Sequence, residues 1–239
     1  MEIKTLTKIV AVADLHGNLP QDIPECDLLI IAGDICPDYQ YPASPKSLYM
    51  QRKWLDENFN VWLRDRLPAE IVGIWGNHDF VGEQDPPDLL WTLLEDTLTS
   101  RCGLHIYGTP YTPRFYDWAF METEAQLAER FARIPEGLDI LVSHGPPLWV
   151  CDRPAESRGD HVGSEALYNR LYAMENPPKH LICGHIHGGR GWGTVFCEHG
   201  SVQVWNVAGV DEAYAPHSPM WTELVLDGEK EVTLDGAPV

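Results

Sequence analysis

Five short polar pieces stand at intervals along the chain: Asp14-Leu15-His16, Gly33-Asp34, Gly76-Asn77-His78-Asp79, His144-Gly145 and Gly184-His185-Ile186-His187. Their chemistry is drawn almost entirely from Asp, His and Asn. Carboxylate oxygen and imidazole nitrogen suit divalent Mn, Fe, Zn or Ni, and the absence of cysteine from the set argues against a structural zinc cage. Carboxylates gathered in one place repel one another unless a cation lies among them. His185 and His187 are spaced by two, so in an extended segment they share a face and can each reach a different ion; Asp14 and His16 have the same spacing. A lone D-x-H arises by chance, and a lone His on an apolar strand is more often a hydrogen-bonded core residue. Five such pieces in order are not met by chance, and metal binding is the reading they support together.

Each piece directly follows a short apolar run rich in β-branched residues, and the carboxyl ends of strands are where open α/β sheets place ligands. Strands are predicted at 8–13, 28–32, 71–75, 104–107, 139–143, 180–183, 194–197, 202–206 and 221–226. Nine strands fit two sheets better than one. Helices are predicted at 48–67, where Leu48, Leu55, Phe59, Trp62 and Leu63 share a face, at 123–134, and around Leu167, Leu171 and Met174. Residues 36–47, with Tyr39, Tyr41, Pro42 and Pro45, read as an ordered excursion or lid. Layered α/β is the class this alternation specifies.

Composition bounds the rest. The 239 residues carry 17 Lys and Arg against 36 Asp and Glu, a formal charge of −19. A chain so acidic is poorly suited to tracking along DNA or RNA, because such affinity is largely phosphate neutralisation by cations. At 44% hydrophobic, with nine Trp and nine Tyr, the sequence reads as one globular domain over residues 1–239. No apolar run approaches the roughly 18 residues of a membrane span, and the six cysteines form no CxxC pair. A cytoplasmic protein with no membrane partner is expected. Neither a G-x-S-x-G elbow nor a Walker loop is present to support another hydrolytic chemistry.

The five motifs, in this order from Asp14 to His187, resemble those of the calcineurin-like metallophosphoesterases. Residues 108–113, 143–147, 161–163 and 211–214 are further similar to the metallophosphoesterase-domain-containing branch. The resemblance implies an α/β four-layer sandwich of two mixed β-sheets flanked by helices. It implies that Asp14, His16, Asp34 and His187 hold one metal ion and that Asp34, Asn77, His144 and His185 hold a second, with Asp34 bridging. His78 then stands beside the phosphate as stabiliser or general acid. Asp79 orients it, one methylene shorter than the Glu of many relatives. Two divalent ions, Mn first and Fe, Zn, Ni or Mg as alternatives, would lower the pKa of a bridging water for in-line attack. The implied reaction is hydrolysis of a phosphodiester, including 2′,3′-cyclic nucleotides, on a small phosphoester or nucleotide substrate. A phosphomonoesterase, a metal- or nucleotide-binding regulator with vestigial activity, and a nuclease acting on long polynucleotides are the alternatives. The charge disfavours the last, and no stable nucleic-acid complex is expected.

Four further groups have two readings each. His161, ahead of a helix start at Gly163-Ser164, contacts substrate or makes a helix-start hydrogen bond. Arg190, in a Gly-rich loop, meets a phosphate or is a solvated loop cation. Asn206 ends a strand, where a turn or supporting role is expected rather than ligation. Tyr39, Tyr41, Trp149 and Tyr111 stack on a base or belong to the core.

Overall fold

The structure is a computed structural model describing residues 5–39, 43–155 and 159–228. The elements of the first half are β1 (Thr5–Val12), β2 (Leu28–Ala32), α1 (Pro45–Trp54), α2 (Asn60–Arg64), β3 (Glu70–Ile74), α3 (Phe80–Gln84), β4 (Thr92–Leu93), β5 (Thr97–Arg101) and β6 (Leu104–Thr109). Those of the second half are β7 (Thr112–Pro113), β8 (Met121–Glu122), α4 (Glu124–Phe131), β9 (Ile140–Ser143), α5 (Glu165–Ala173), β10 (His180–Cys183), β11 (Gly191–Cys197), β12 (Gly200–Asn206) and β13 (Thr222–Gly228).

Two large mixed sheets result, ordered β13-β1-β2-β3-β4 and β11-β12-β10-β9-β6-β5. Strands β1, β2 and β3 are parallel, as are β6, β9, β10 and β12, while β13, β11 and β5 run antiparallel to their neighbours. Parallel strands buried on both faces are continuous apolar runs rather than alternating ones, and β2, Leu-Leu-Ile-Ile-Ala, is buried throughout. Its odd and even residues serve different layers. Leu28 and Ile30 meet Ile140, Val142 and Ile182 between the sheets, and Leu29 and Ile31 meet Leu55, Phe59, Trp62 and Leu63 of the outer helical layer. A third cluster packs Leu127 and Phe131 of α4 and Leu167 and Leu171 of α5 on the far side of the second sheet. Each such side chain contributes about 1.5–3 kcal/mol by leaving water. Helix, sheet, sheet and helix form the four layers.

All nine predicted strands are present. Their ends shift by up to three residues. The long predicted helix is α1 and α2 joined by one π-helical turn, Leu55–Phe59, and it starts at Pro45. Ser44 caps it, accepting from the Ser47 N–H while Ser47 returns the bond to Ser44. Proline suits the first turn, where its missing N–H has no partner to lose. Residues 45–47, assigned to the excursion by sequence, are therefore helix, and Tyr41 and Pro42 lie outside the described residues. Strands β4, β5, β7 and β8 and helix α3 were not foreseen. β5 is Thr-Leu-Thr-Ser-Arg with no buried face, so it has no apolar pattern to read. In α3, a Cβ on Gly82 would lie 2.5 Å from the Trp75 ring, a contact only tertiary packing creates.

Candidate metal centre

The loops after β1 and β2 run side by side: the Asp14 N–H donates to Gly33 O at 2.9 Å and the His16 N–H to Asp34 O at 3.0 Å. The second sheet joins them from across the sandwich. The His185 N–H donates to the Asp14 carboxylate at 2.9 and 3.0 Å, and His144 Nδ1 bonds Ala32 O at 2.8 Å. The strand ends of both sheets thus converge on one seam. Four of the residues there have left-handed backbones, Asp14 (φ 51°), His16 (φ 43°), Asp34 (φ 53°) and His185 (φ 66°). Such conformations cost on the order of 1–3 kcal/mol each for a side-chain-bearing residue and cluster at functional sites. Gly76 gives Asp34 room, since a Cβ there would lie 2.2 Å from Asp34 Oδ1.

Three groups of potential ligand atoms form, each within 4.8 Å: Asp14, His16 and His187; Asp34, His144 and His185; and His16, Asp38 and His78, the last with its carboxylate exposed. The first two are buried except for a half-buried imidazole in each. Asn77 Oδ1 lies 2.9 Å from His144 Nε2, adding a neutral oxygen to the second group. Asp34 Oδ2 is 3.2 Å from His144 Nε2 and 3.9 Å from His16 Nε2, so this carboxylate stands between the groups. A cation fits. His16 is buried with Nε2 lacking any hydrogen-bond partner, and its Nδ1, 3.3 Å from Asp38 Oδ2, lacks hydrogen-bond alignment. A buried unpaired imidazole among carboxylates is costly unless something ligates it. His144 Nδ1 on Ala32 O and His187 Nδ1 on Asp211 O (3.0 Å) leave Nε2 of each as the nitrogen that could ligate an ion.

The charged groups of the site set one another's protonation. Burial alone would raise the Asp14 carboxyl, but the hydrogen bond and charge of His187 outweigh it and hold it below the usual range. Asp34 is likewise held well below despite burial, by His144 and His78. Burial opposes protonation of His144 and His187, yet Asp34 carries the first and Asp14 the second up to about 9. His185 is pushed down to about 3 by burial and the neighbouring His144 charge. An imidazolium cannot ligate, so metal must displace protons from His144 and His187 below pH about 9. Metal affinity is therefore expected to rise with pH from 6 to 9, with proton release measurable by titration calorimetry in buffers of different ionisation enthalpy. An affinity independent of pH over that range would contradict these two ligand assignments.

His78 lines the cleft, but Asp79 differs in placement from the sequence-based assignment. Both oxygens of Asp79 accept backbone N–H groups, from Ile35 at 3.0 Å, Cys36 at 2.8 Å and Gly76 at 2.9 Å, pinning two ligand loops together. The carboxylate on the His78 ring is Asp38, with Oδ1 2.5 Å from Nδ1. Partial desolvation would raise the Asp38 carboxyl, but the neighbouring His16 and His78 imidazoles lower it to about 2. Asp38 went unnoticed because it sits in a loop without periodicity, 40 residues from its partner.

His161 and Arg190 are turned to other partners. His161 Nδ1 lies 2.6 Å from the buried Asp152, and Arg153 Nε donates to His161 Nε2 at 3.0 Å. Arg190 donates to the carbonyls of Ala208 and Pro219, bracing the loops behind His187. Neither lines the cleft. Asn206 donates to the carbonyls of Cys151, Gly184 and Ile186 at 3.1, 3.3 and 2.9 Å, a supporting role. Tyr111 lies under Arg130, 3.3 Å from its ring centroid, and Trp149 packs on His161 at 4.6 Å. Tyr39 lines a side pocket with Asp38 and His78.

A cleft of about 490 Å³ opens over the centre, floored by Asp34, Asn77, His78, His185 and His187. Its walls are Pro113, Phe115, Trp118, Met121, Val162 and Ile186, with Arg114, Glu212 and Tyr214 supplying polar groups. Trp118 lies 4.2 Å from the His78 ring, and Tyr214 lies 4.7 Å from that of His16. Arg114 and the aromatic residues beside it were missed, since exposed rim residues carry no pattern.

This chain belongs to the calcineurin-like phosphoesterase family, whose model matches residues 7–189. It is 32% identical over 216 residues to metallophosphoesterase domain-containing protein 1 of Homo sapiens and of Mus musculus, covering 77% of this chain and 62% of each relative. The chain thus spans about 62% of the length of these relatives. It is also 30% identical to a probable rhamnogalacturonate lyase C of Emericella nidulans, over 78% of this chain but 18% of that protein. A solved crystal structure with 16% identity superposes with a TM-score of 0.58, over 94% of this chain and all of that one, which shows the shared fold. Among the described residues, no helix is long and apolar enough to cross a membrane.

Proposed function

We propose that this site hydrolyses phosphoesters with two divalent ions, and that the substrate is a small phosphodiester such as a cyclic or linear nucleotide. The observation that carries the reading is the pair of ligand groups meeting at Asp34 on the floor of a cleft. Asp14, His16 and His187 would hold one ion; Asn77, His144 and His185 the other; Asp34 both. Bound there, Mn or a similar cation supplies Lewis acidity and an acidic water for attack on phosphorus. The name of the human and mouse relatives, metallophosphoesterase domain-containing protein 1, accords with this chemistry.

The chain's own groups do the rest. His78 has its Nδ1 engaged by Asp38, which leaves Nε2 to face substrate. Burial lowers its proton affinity, but Asp34 and Asp38 together raise it above the ordinary imidazole value, so the ring keeps a proton to give to the departing oxygen. Arg114 at the rim brings the positive charge that a phosphate needs on so acidic a chain. The apolar wall of Phe115, Trp118 and Val162 supports a substrate with an organic group on both sides of phosphorus over a bare monoester. Six free cysteines support a reducing, cytoplasmic setting.

Chelator-stripped protein is expected to lose phosphoesterase activity and to regain it with Mn. The test is a panel of cyclic nucleotides, dinucleotides and monoesters with each added metal. Activity on diesters exceeding that on monoesters supports the reading, and full activity without metal overturns it. Metal binding without turnover of any member would leave the regulatory alternative.

A further inference from the structure

We infer that β11 is the seam of a two-fold homodimer, formed by antiparallel pairing of this strand with β11 of a second copy. Among the described residues it is the outermost strand of its sheet, with β12 on one side and no strand on the other. Exposed edges are ordinarily protected by charge, proline, bulges or shortness. The other edges of the two large sheets are so protected: β13 carries Glu223, β5 carries Arg101, and β4 is two residues long. β11, Gly-Trp-Gly-Thr-Val-Phe-Cys, has none of these over seven residues.

Its apolar side chains are displayed outward. Trp192 is 70% and Phe196 76% exposed, the two highest values among the large hydrophobic residues described. Four residues apart on a strand, they share one face, the face of Trp205, whose ring centroid is 6.5 Å from that of Trp192. Val195 points the other way, into the third core cluster.

The strand is complementary to itself. With the two-fold axis at Thr194, Trp192 of each copy lies opposite Phe196 of the other, and Gly193 lies opposite Val195. Cross-strand aromatic pairs each contribute a few tenths to about 1 kcal/mol, and here symmetry doubles the pair. Charge selects this place as well. Two chains of −19 repel over most of their surface, so they can approach only where the surface is neutral, and β11 holds no Asp, Glu, Lys or Arg.

Sedimentation velocity across a concentration series tests this on the full chain. The expected result is a shift from the 27.0 kDa monomer toward twice that mass, with Phe196→Glu weakening association at least about 10-fold. Thr194→Cys should form a covalent dimer on mild oxidation, beyond any linkage by the six native cysteines, because the axis sets that position against itself. This second variant needs no loss of packing. A monomer at every concentration together with no Thr194→Cys link would overturn the proposal, as would a dimer that Phe196→Glu leaves intact. Slow hydrogen exchange along β11 in a monomer would mean that another part of the same chain covers the strand, and would also overturn it.

Discussion

His78→Ala is expected to keep both metal ions, to slow hydrolysis of an alkyl or ribose phosphodiester by about 10²–10⁴-fold, and to slow a nitrophenyl ester much less. The ring is held from two sides, by Asp38 at Nδ1 (2.5 Å) and by its own backbone N–H on Asp34 Oδ1 (2.7 Å). A proton delivered from such a fixed ring matters most when the leaving oxygen is basic, and nitrophenolate departs without it. Single-turnover rates on both esters make the comparison, because slow product release would mask it. Most of the loss should fall in kcat rather than KM. Equal slowing of the two esters with metals retained would assign His78 to charge stabilisation of the phosphoryl group, and no slowing would remove it from the mechanism. Asp38→Asn extends the test. Asp38 raises the His78 pKa, so removing its charge should let His78 lose its proton at lower pH and move the alkaline limb of the rate profile downward. Asp79→Asn should act otherwise, weakening the Ile35, Cys36 and Gly76 anchorage and with it metal retention.

Asp34→Asn is expected to be the most damaging ligand change, losing both ions where Asn77→Ala loses chiefly one. Asp34 Oδ2 reaches toward His144 at 3.2 Å and His16 at 3.9 Å, one member of each ligand group. Removing this charge also takes away much of what holds His144 up to about 9. Asn77 is neutral and touches only the His144 side, at 2.9 Å. Metal content by elemental analysis after gel filtration distinguishes the two variants, and equal loss of both ions in each would contradict the shared role of Asp34. Thermal unfolding should follow metal content, since an ion bound only to the folded state stabilises it.

Sequence alone determined the ligand-bearing strand ends and the layered α/β class. Strands β1, β2, β3, β9 and β10 are apolar runs that end abruptly in Asp, His or Asn, and a parallel strand buried on both faces can be read from its own residues. Ligand types are equally local, because affinity for a cation is a property of the side chain itself. Tertiary structure decided the partners. Asp38 rather than Asp79 meets His78 because the loop after β2 lies against the loop after β3, a contact between residues 40 apart that no spacing encodes. Arg190 was chemically suited to a phosphate but spends its guanidinium on the Ala208 and Pro219 carbonyls, the first of which is buried and needs a donor. Arg114, Phe115 and Trp118 are ordinary loop residues until the loop that carries them stands over the metal centre. Residue type sets what a group can do, and only the fold sets which neighbour it does it with.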